Sequence, residues 1–272
     1  MNIFAKLIKC DFRQLFCIAS MSLLVGQTYA LDIETSQELD KVFSDAGIKG
    51  TFVLYDVTAD RLVVHNPIRA EKRFIPASTF KIPNSLIGLS TGAVGSVDET
   101  IPYGGKPQPI KAWEADMGLR DAIPISNVPV YQELARRIGL ENMREKLAQI
   151  PYGNGKTGNK VDRFWLEGPL KISAVEQTIF LARLAQGDLP FGSELQQSVR
   201  EIILLEQESD RVLYGKTGWT TTPIPDIGWW VGWVVKENRI YSFAINIDMP
   251  NRADVARRVE LGKACLKTLG IL

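Results

Sequence analysis

The chain has 272 residues, 45% of them hydrophobic, 23% charged and 9% aromatic, an ordinary globular composition that excludes disorder, collagen and low complexity. Lys and Arg total 32 against 31 Asp and Glu, a formal charge of +1 with no long run of either sign, so an electrostatic nucleic-acid surface has no basis. One histidine, His65, and three cysteines, Cys10, Cys17 and Cys265, cannot assemble a His/Cys zinc site without heavy use of carboxylates, and no metal is expected.

The chain starts with a basic leader, Lys6, Lys9 and Arg13, followed by a short apolar run over 15–26 and the small-residue exit Thr28-Tyr29-Ala30. This pattern predicts a secretory signal peptide over 1–30, and hence a periplasmic protein with no membrane segment after cleavage. The apolar run is well short of the roughly 20 residues that span a bilayer, and no lipobox precedes Cys17. Cleavage would remove Cys10 and Cys17 and leave Cys265 alone, so no intramolecular disulfide is expected. Residues 31–272 suit one composite catalytic domain.

Residues 51–57 and 61–65 are rich in β-branched and aromatic side chains and are joined by Thr58-Ala59-Asp60, which predicts a hairpin. Helical spacing follows over 84–92, 130–149, 173–187 and 193–205. Strands are expected at 212–214, 228–235 and 239–247, and a last amphipathic helix at 253–269. This order predicts an α+β fold. Its mostly antiparallel central sheet is drawn from both chain ends and flanked by helices, with an all-helical region inserted in the middle and the active site at the junction. The similar stretches at 101–106 and 150–156 have unlike flanks and read as recurrent turn chemistry.

Two serine motifs compete for the role of nucleophile. Gly88-Leu89-Ser90-Thr91-Gly92 has the G-x-S-x-G form, but it ends a helical segment and the only histidine lies upstream, so it reads as a glycine-terminated helix end. His65 reads as a surface or partly buried strand residue. Ser78-Thr79-Phe80-Lys81 is the only S-x-x-K, and helical spacing puts its hydroxyl and amine on one face, a turn apart. A serine needs a base, and burial can make a lysine amine one by disfavouring its charged form. Pro76 and Ala77 fit a helix start, while Pro83, unable to donate to the Thr79 carbonyl, predicts distortion in the first turns. S-x-x-K alone should occur about once by chance in a chain this long. Its weight comes from two companions, Ser126-Asn127-Val128 and Lys216-Thr217-Gly218, the latter expected just after a strand.

The order S-x-x-K, S-x-V, K-T-G marks penicillin-recognising serine enzymes. With Tyr152-Gly153-Asn154, Trp165-Leu166-Glu167-Gly168 and the aromatic run at 228–233, the chain from about Gly50 onward resembles the class D (OXA-type) serine β-lactamases. The resemblance implies hydrolysis of small-molecule β-lactam antibiotics, conferring resistance. Ser78 would be the nucleophile, and the N–H groups of Ser78 and Trp219 the oxyanion hole. Lys81 would carry CO2 as N6-carboxylysine, the general base, in a pocket of Val128, Trp165 and Leu166, with the Trp165 indole holding the carbamate; no other cofactor is implied. Ser126 would pass a proton to the lactam nitrogen. Lys216, Thr217, Gly218 and Arg258 would hold the substrate carboxylate, with Met117 over the cleft. Arg258 is chosen by its spacing to Lys263 and Gly270, with Arg252 and Arg257 close by as alternatives. Ordinary structural roles compete for several of these: core packing for Trp165 and Met117, a helix cap or turn for Ser126, and a turn beside the cleft for Tyr152-Gly153-Asn154. Three rival activities use similar motifs: a β-lactam sensor that acylates without turnover, a penicillin-binding DD-peptidase or transpeptidase, and an S-x-x-K esterase. Either a monomer or a homodimer is compatible with the composition.

Overall fold

The structure is a computed structural model that describes residues 32–272; the leader expected over 1–30, with Cys10 and Cys17, lies outside the described residues. A four-residue strand, β1 (Asp32–Thr35), leads into α1 (Gln37–Ala46), capped by the Ser36 side chain, which accepts from the Leu39 N–H. Neither element was among those expected, although Leu39, Val42, Phe43 and Ala46 carry helical spacing. The expected hairpin is present as β2 (Gly50–Asp56) and β3 (Arg61–His65), its turn closed by Asp56 Oδ1, which accepts from the N–H groups of Thr58 and Ala59 at 3.0 and 3.1 Å. A short α2 (Pro67–Glu71) follows.

The middle of the chain is helical, as predicted, with α3 (Lys81–Ser90), α5 (Val128–Ile138), α6 (Leu140–Ala148), α7 (Ala174–Gln186) and α8 (Ser193–Ile202), and it also contains a one-turn α4 (Leu119–Ala122) that was not expected. Two boundaries differ from expectation. The helical spacing over 130–149 is broken at Gly139, whose φ of 78° and ψ of 158° no helix accommodates, so α5 and α6 are separate. The segment 193–205 leaves its helix after Ile202 and continues as an edge strand, β4 (Leu204–Gln207).

Three long strands complete the sheet: β5 (Arg211–Thr220), β6 (Asp226–Lys236) and β7 (Arg239–Met249). Here the expectation for 212–214 was too short. The ladder to β6 runs from Arg211↔Lys236 to Thr220↔Ile227, so Lys216-Thr217-Gly218 lies inside β5 and not after it. These residues show no apolar alternation; pairing with the aromatic β6 imposes the extended backbone. A 3-10 turn at Arg252–Val255 then leads into α9 (Arg257–Thr268), where a helix was expected over 253–269.

The strand order is β1-β3-β2-β7-β6-β5-β4, antiparallel except for the parallel β1–β3 pair. Pairing of β2 with β7, from Gly50↔Ile247 to Asp56↔Tyr241, joins the two ends of the chain, as the expected α+β fold requires. Both faces of the sheet are covered. Alternate residues Phe52 and Leu54 of β2 enter one core with Phe43 of α1 and Leu261 and Leu266 of α9, while Val53 enters the other with the helical region. The S-x-x-K segment is sandwiched between that helical region and β5.

Candidate active site

The nucleophile turn is a 3-10 helix, Ala77–Phe80, that passes directly into α3 at Lys81. This is the distortion predicted from Pro83, which leaves the Thr79 carbonyl without its helical donor. Four neighbours fix the turn. Trp229 Nε1 of β6 donates to the Ile75 carbonyl at 3.0 Å, and the Ala77 N–H donates to the Trp165 carbonyl at 3.0 Å. Gln177 Nε2 of α7 donates to Thr79 Oγ1 at 2.8 Å, and that hydroxyl donates to the Pro76 carbonyl at 2.8 Å. On the β5 side, a Cβ on Gly218 would stand 2.9 Å from the Pro76 oxygen and 3.0 Å from Thr79 Cγ2, so the third motif needs its glycine for strand and turn to meet. Ala77, just before Ser78, has a φ of 49°, a left-handed backbone that costs an alanine about 1 kcal/mol and is held by these contacts.

Ser78 is half-buried and Lys81 is fully buried, with Lys81 Nζ 3.1 Å from Ser78 Oγ. Among the described residues no carboxylate pairs with this amine. Burial, and secondarily the charge of Lys216, hold its pKa well below the ordinary lysine range, which favours the neutral form that can accept the Ser78 proton. The opposite wall is Tyr131 of α5, its ring centroid 5.0 Å from Nζ. The Tyr131 hydroxyl shares a 2.9 Å hydrogen bond with Ser85 Oγ, which donates to the Lys81 carbonyl at 2.8 Å. Tyr131 and Ser85 were not among the sequence candidates. The signal for Ser85 was its place one helical turn after Lys81; Tyr131 arrives from another helix and has no such signal.

A second buried lysine lies across the cleft. Lys216 Nζ donates to Ser126 Oγ at 2.5 Å and to the Thr217 carbonyl at 2.9 Å, which brings the second and third motifs into contact. Burial, and then the neighbouring Arg258 cation, lower its pKa to about 7. Ser126 has a φ of 54° and is followed by Asn127, the cap of α5, whose Oδ1 accepts from the Val130 N–H at 3.2 Å. Asn127 Nδ2 lies 3.4 Å from Met117 Sδ, placing Met117 beside this loop. Arg258 is lowered to about 10 by its own burial, and among the described residues its buried Nε and Nη1 have no hydrogen-bond partner. Arg257 points elsewhere, donating to the Ala46 carbonyl at 2.8 Å.

The penicillin binding protein transpeptidase domain family matches residues 50–267. The chain is 39% identical over 259 residues to β-lactamase OXA-5 of Pseudomonas aeruginosa, covering 93% of this chain and 97% of that one. It is 39% identical to β-lactamase OXA-48 of Klebsiella pneumoniae, covering 83% and 85%. The crystal structure of FUS-1 (OXA-85), a class D β-lactamase from Fusobacterium nucleatum subsp. polymorphum, superposes with a TM-score of 0.85 at 44% identity, covering 88% of this chain and all of that one. The chain belongs to the class D β-lactamase family.

Membership of this family raises the question of whether Lys81 can carry CO2. The residues present fit that group: burial disfavours the charged form of the Lys81 amine, the neutral form is able to add CO2, and among the described residues the indole Nε1 of fully buried Trp165 has no hydrogen-bond partner. Trp165 stacks on Phe80, the residue before Lys81, with ring centroids 5.4 Å apart. Leu166 is half-buried and packs on the same core, and Val128, half-buried, opens α5. Trp219 follows Gly218 on β5, and its indole donates to Asp226 at 2.7 Å. Asn154 is a turn residue whose side chain accepts from the Lys171 N–H at 3.0 Å and donates to the Pro169 carbonyl at 2.9 Å, while Tyr152 packs edge-on against Phe80. Ser90 is the last residue of α3 and bonds the Ile87 carbonyl, and His65 ends β3 and pairs with Asp40, so neither belongs to the cleft.

Proposed function

We propose that the protein hydrolyses β-lactam antibiotics through an acyl-enzyme on Ser78, and so confers resistance to them. The observation that carries this reading is the 3.1 Å contact between Ser78 Oγ and the buried, unpaired amine of Lys81. That amine takes the hydroxyl proton as the oxygen attacks the strained carbonyl. The N–H groups of Ser78 and Trp219 are the donors assigned to the oxyanion. Ser126 delivers a proton to the departing lactam nitrogen, with the Lys216 ammonium hydrogen-bonded behind it. The unpaired guanidinium of Arg258, with Lys216 and Thr217, attracts the substrate carboxylate. CO2 bound on Lys81 would supply a base able to serve both acylation and deacylation. Trp165 Nε1, Leu166 and Val128 are the residues assigned to hold it, and Met117 covers the cleft.

Steady-state hydrolysis of a simple penicillin in the presence of bicarbonate tests the reading, with continued turnover as the expected result. A burst of one equivalent without further hydrolysis would transfer the protein to the sensor or transpeptidase class, which acylate and stop. The basic leader and apolar run at 1–30 support export to the periplasm, where such substrates are met. Among the described residues no helix is long and apolar enough to cross a membrane.

A further inference from the structure

β4 pairs with β5 as far as Leu204↔Tyr214, the Gly215 N–H donates to the Ile203 carbonyl at 2.9 Å, and beyond that point no strand among the described residues covers the outer edge of β5. A recess of about 310 Å³ opens there, and Lys216 and Thr217, the residues assigned to the substrate carboxylate, form one of its walls. The facing walls are Leu205 of β4 and Val259 of α9, the residue after Arg258. Gly215 leaves the floor open: a Cβ there would stand 3.0 Å from Leu205 Cδ1 and 3.1 Å from Trp230 Nε1. Trp230 is 1% exposed overall and lines the recess, with its indole Nε1 at this floor. Lys263 and Glu206, paired with each other, join α9 to β4 at the rim.

An indole donor at the base of a recess that shares two residues with the carboxylate site is an arrangement that a ligand acceptor can complete. We propose that this recess is a specificity subsite for the substituent on the ring carbon next to the one bearing the substrate carboxylate. It favours a flat substituent with an apolar body and a hydrogen-bond acceptor, such as a heteroaromatic ring. The apolar body lies between Leu205 and Val259, and the acceptor meets Trp230 Nε1. This inference rests on the β-lactamase reading above.

The test uses two cephalosporins with the same acyl side chain, one with a methyl group and the other with a heteroarylthiomethyl group at that carbon. Their ratio of kcat/KM is measured in the wild-type enzyme and in Leu205→Trp, a change at a residue 48% exposed that fills the recess from its rim. Intrinsic differences in reactivity between the two compounds cancel when the ratios are compared. The expected result is a ratio that falls about tenfold in Leu205→Trp, through a higher KM for the heteroaryl compound. Val259→Phe, which fills the recess from α9, is expected to act in the same direction. An unchanged ratio in both variants would overturn the subsite while leaving β-lactam hydrolysis standing. Absence of turnover of either compound by the wild-type enzyme would instead remove the functional reading itself.

Discussion

Two buried lysines face one cleft, and their surroundings give them opposite work. Lys81 is wholly enclosed by apolar and aromatic groups, with a serine hydroxyl 3.1 Å away and a tyrosine ring 5.0 Å away, and it lacks an anion. Lys216 is 5% exposed and donates to Ser126 Oγ and to the Thr217 carbonyl, with the Arg258 guanidinium as its electrostatic neighbour. The first environment disfavours charge with nothing to offset it and yields a base. The second supplies hydrogen-bond acceptors for an ammonium and, with Arg258, concentrates positive potential where an anionic substrate docks.

The comparison breaks most sharply at the base. Lys81→Ala and Ser78→Ala should each lower penicillin turnover by about 10³-fold or more, measured as kcat, because the nucleophile or its activation is lost. Substitution on the other side should act on binding. Arg258→Gln is expected to raise KM about 10- to 100-fold with a smaller change in kcat, the scale of one charge-assisted contact. Removing the donor beside the base is subtler: Trp165→Phe should make activity depend on added bicarbonate, with about tenfold recovery at saturation. A wild-type-like response would count against the indole as the carbamate's partner. The hinge between the two sides is Gly218. Gly218→Ala should cost about 1–3 kcal/mol in chemical denaturation, since its methyl would press on the Pro76 carbonyl and Thr79.

The smallest effect concerns pH. Lys216, lowered to about 7, loses its charge as pH rises through that value, so kcat/KM for an anionic substrate should decline on the alkaline side. In Arg258→Gln a repelling cation is gone, which favours the charged form of Lys216 and moves that alkaline limb upward. An unmoved limb would detach the titration from Lys216.

The nucleophile and base were legible because they lie one helical turn apart, where spacing alone predicts contact. K-T-G was legible as a triplet but misplaced, since its strand is imposed by pairing with β6 and not by its own residues. The choice of Arg258 over Arg257 came from family spacing. The structure separates the two by what they touch, since Arg257 is committed to the Ala46 carbonyl and Arg258 is not. Tyr131, Ser85 and the recess around Trp230 stayed out of reach because each depends on elements brought together by the sheet or by helix packing. Ser85 alone had a local clue. The split at Gly139 and the edge strand β4 show the same limit, a periodic pattern overruled by one backbone geometry or by an available sheet edge.

The central claim is that burial holds the Lys81 pKa well below the ordinary lysine range while its amine touches Ser78. The most direct test is the single-turnover acylation rate at saturating penicillin as a function of pH. If the claim holds, the rate reaches its plateau well below the ordinary lysine value and stays flat through the alkaline range. A rate that climbed about tenfold per pH unit toward the ordinary lysine value near 10.4 would contradict it.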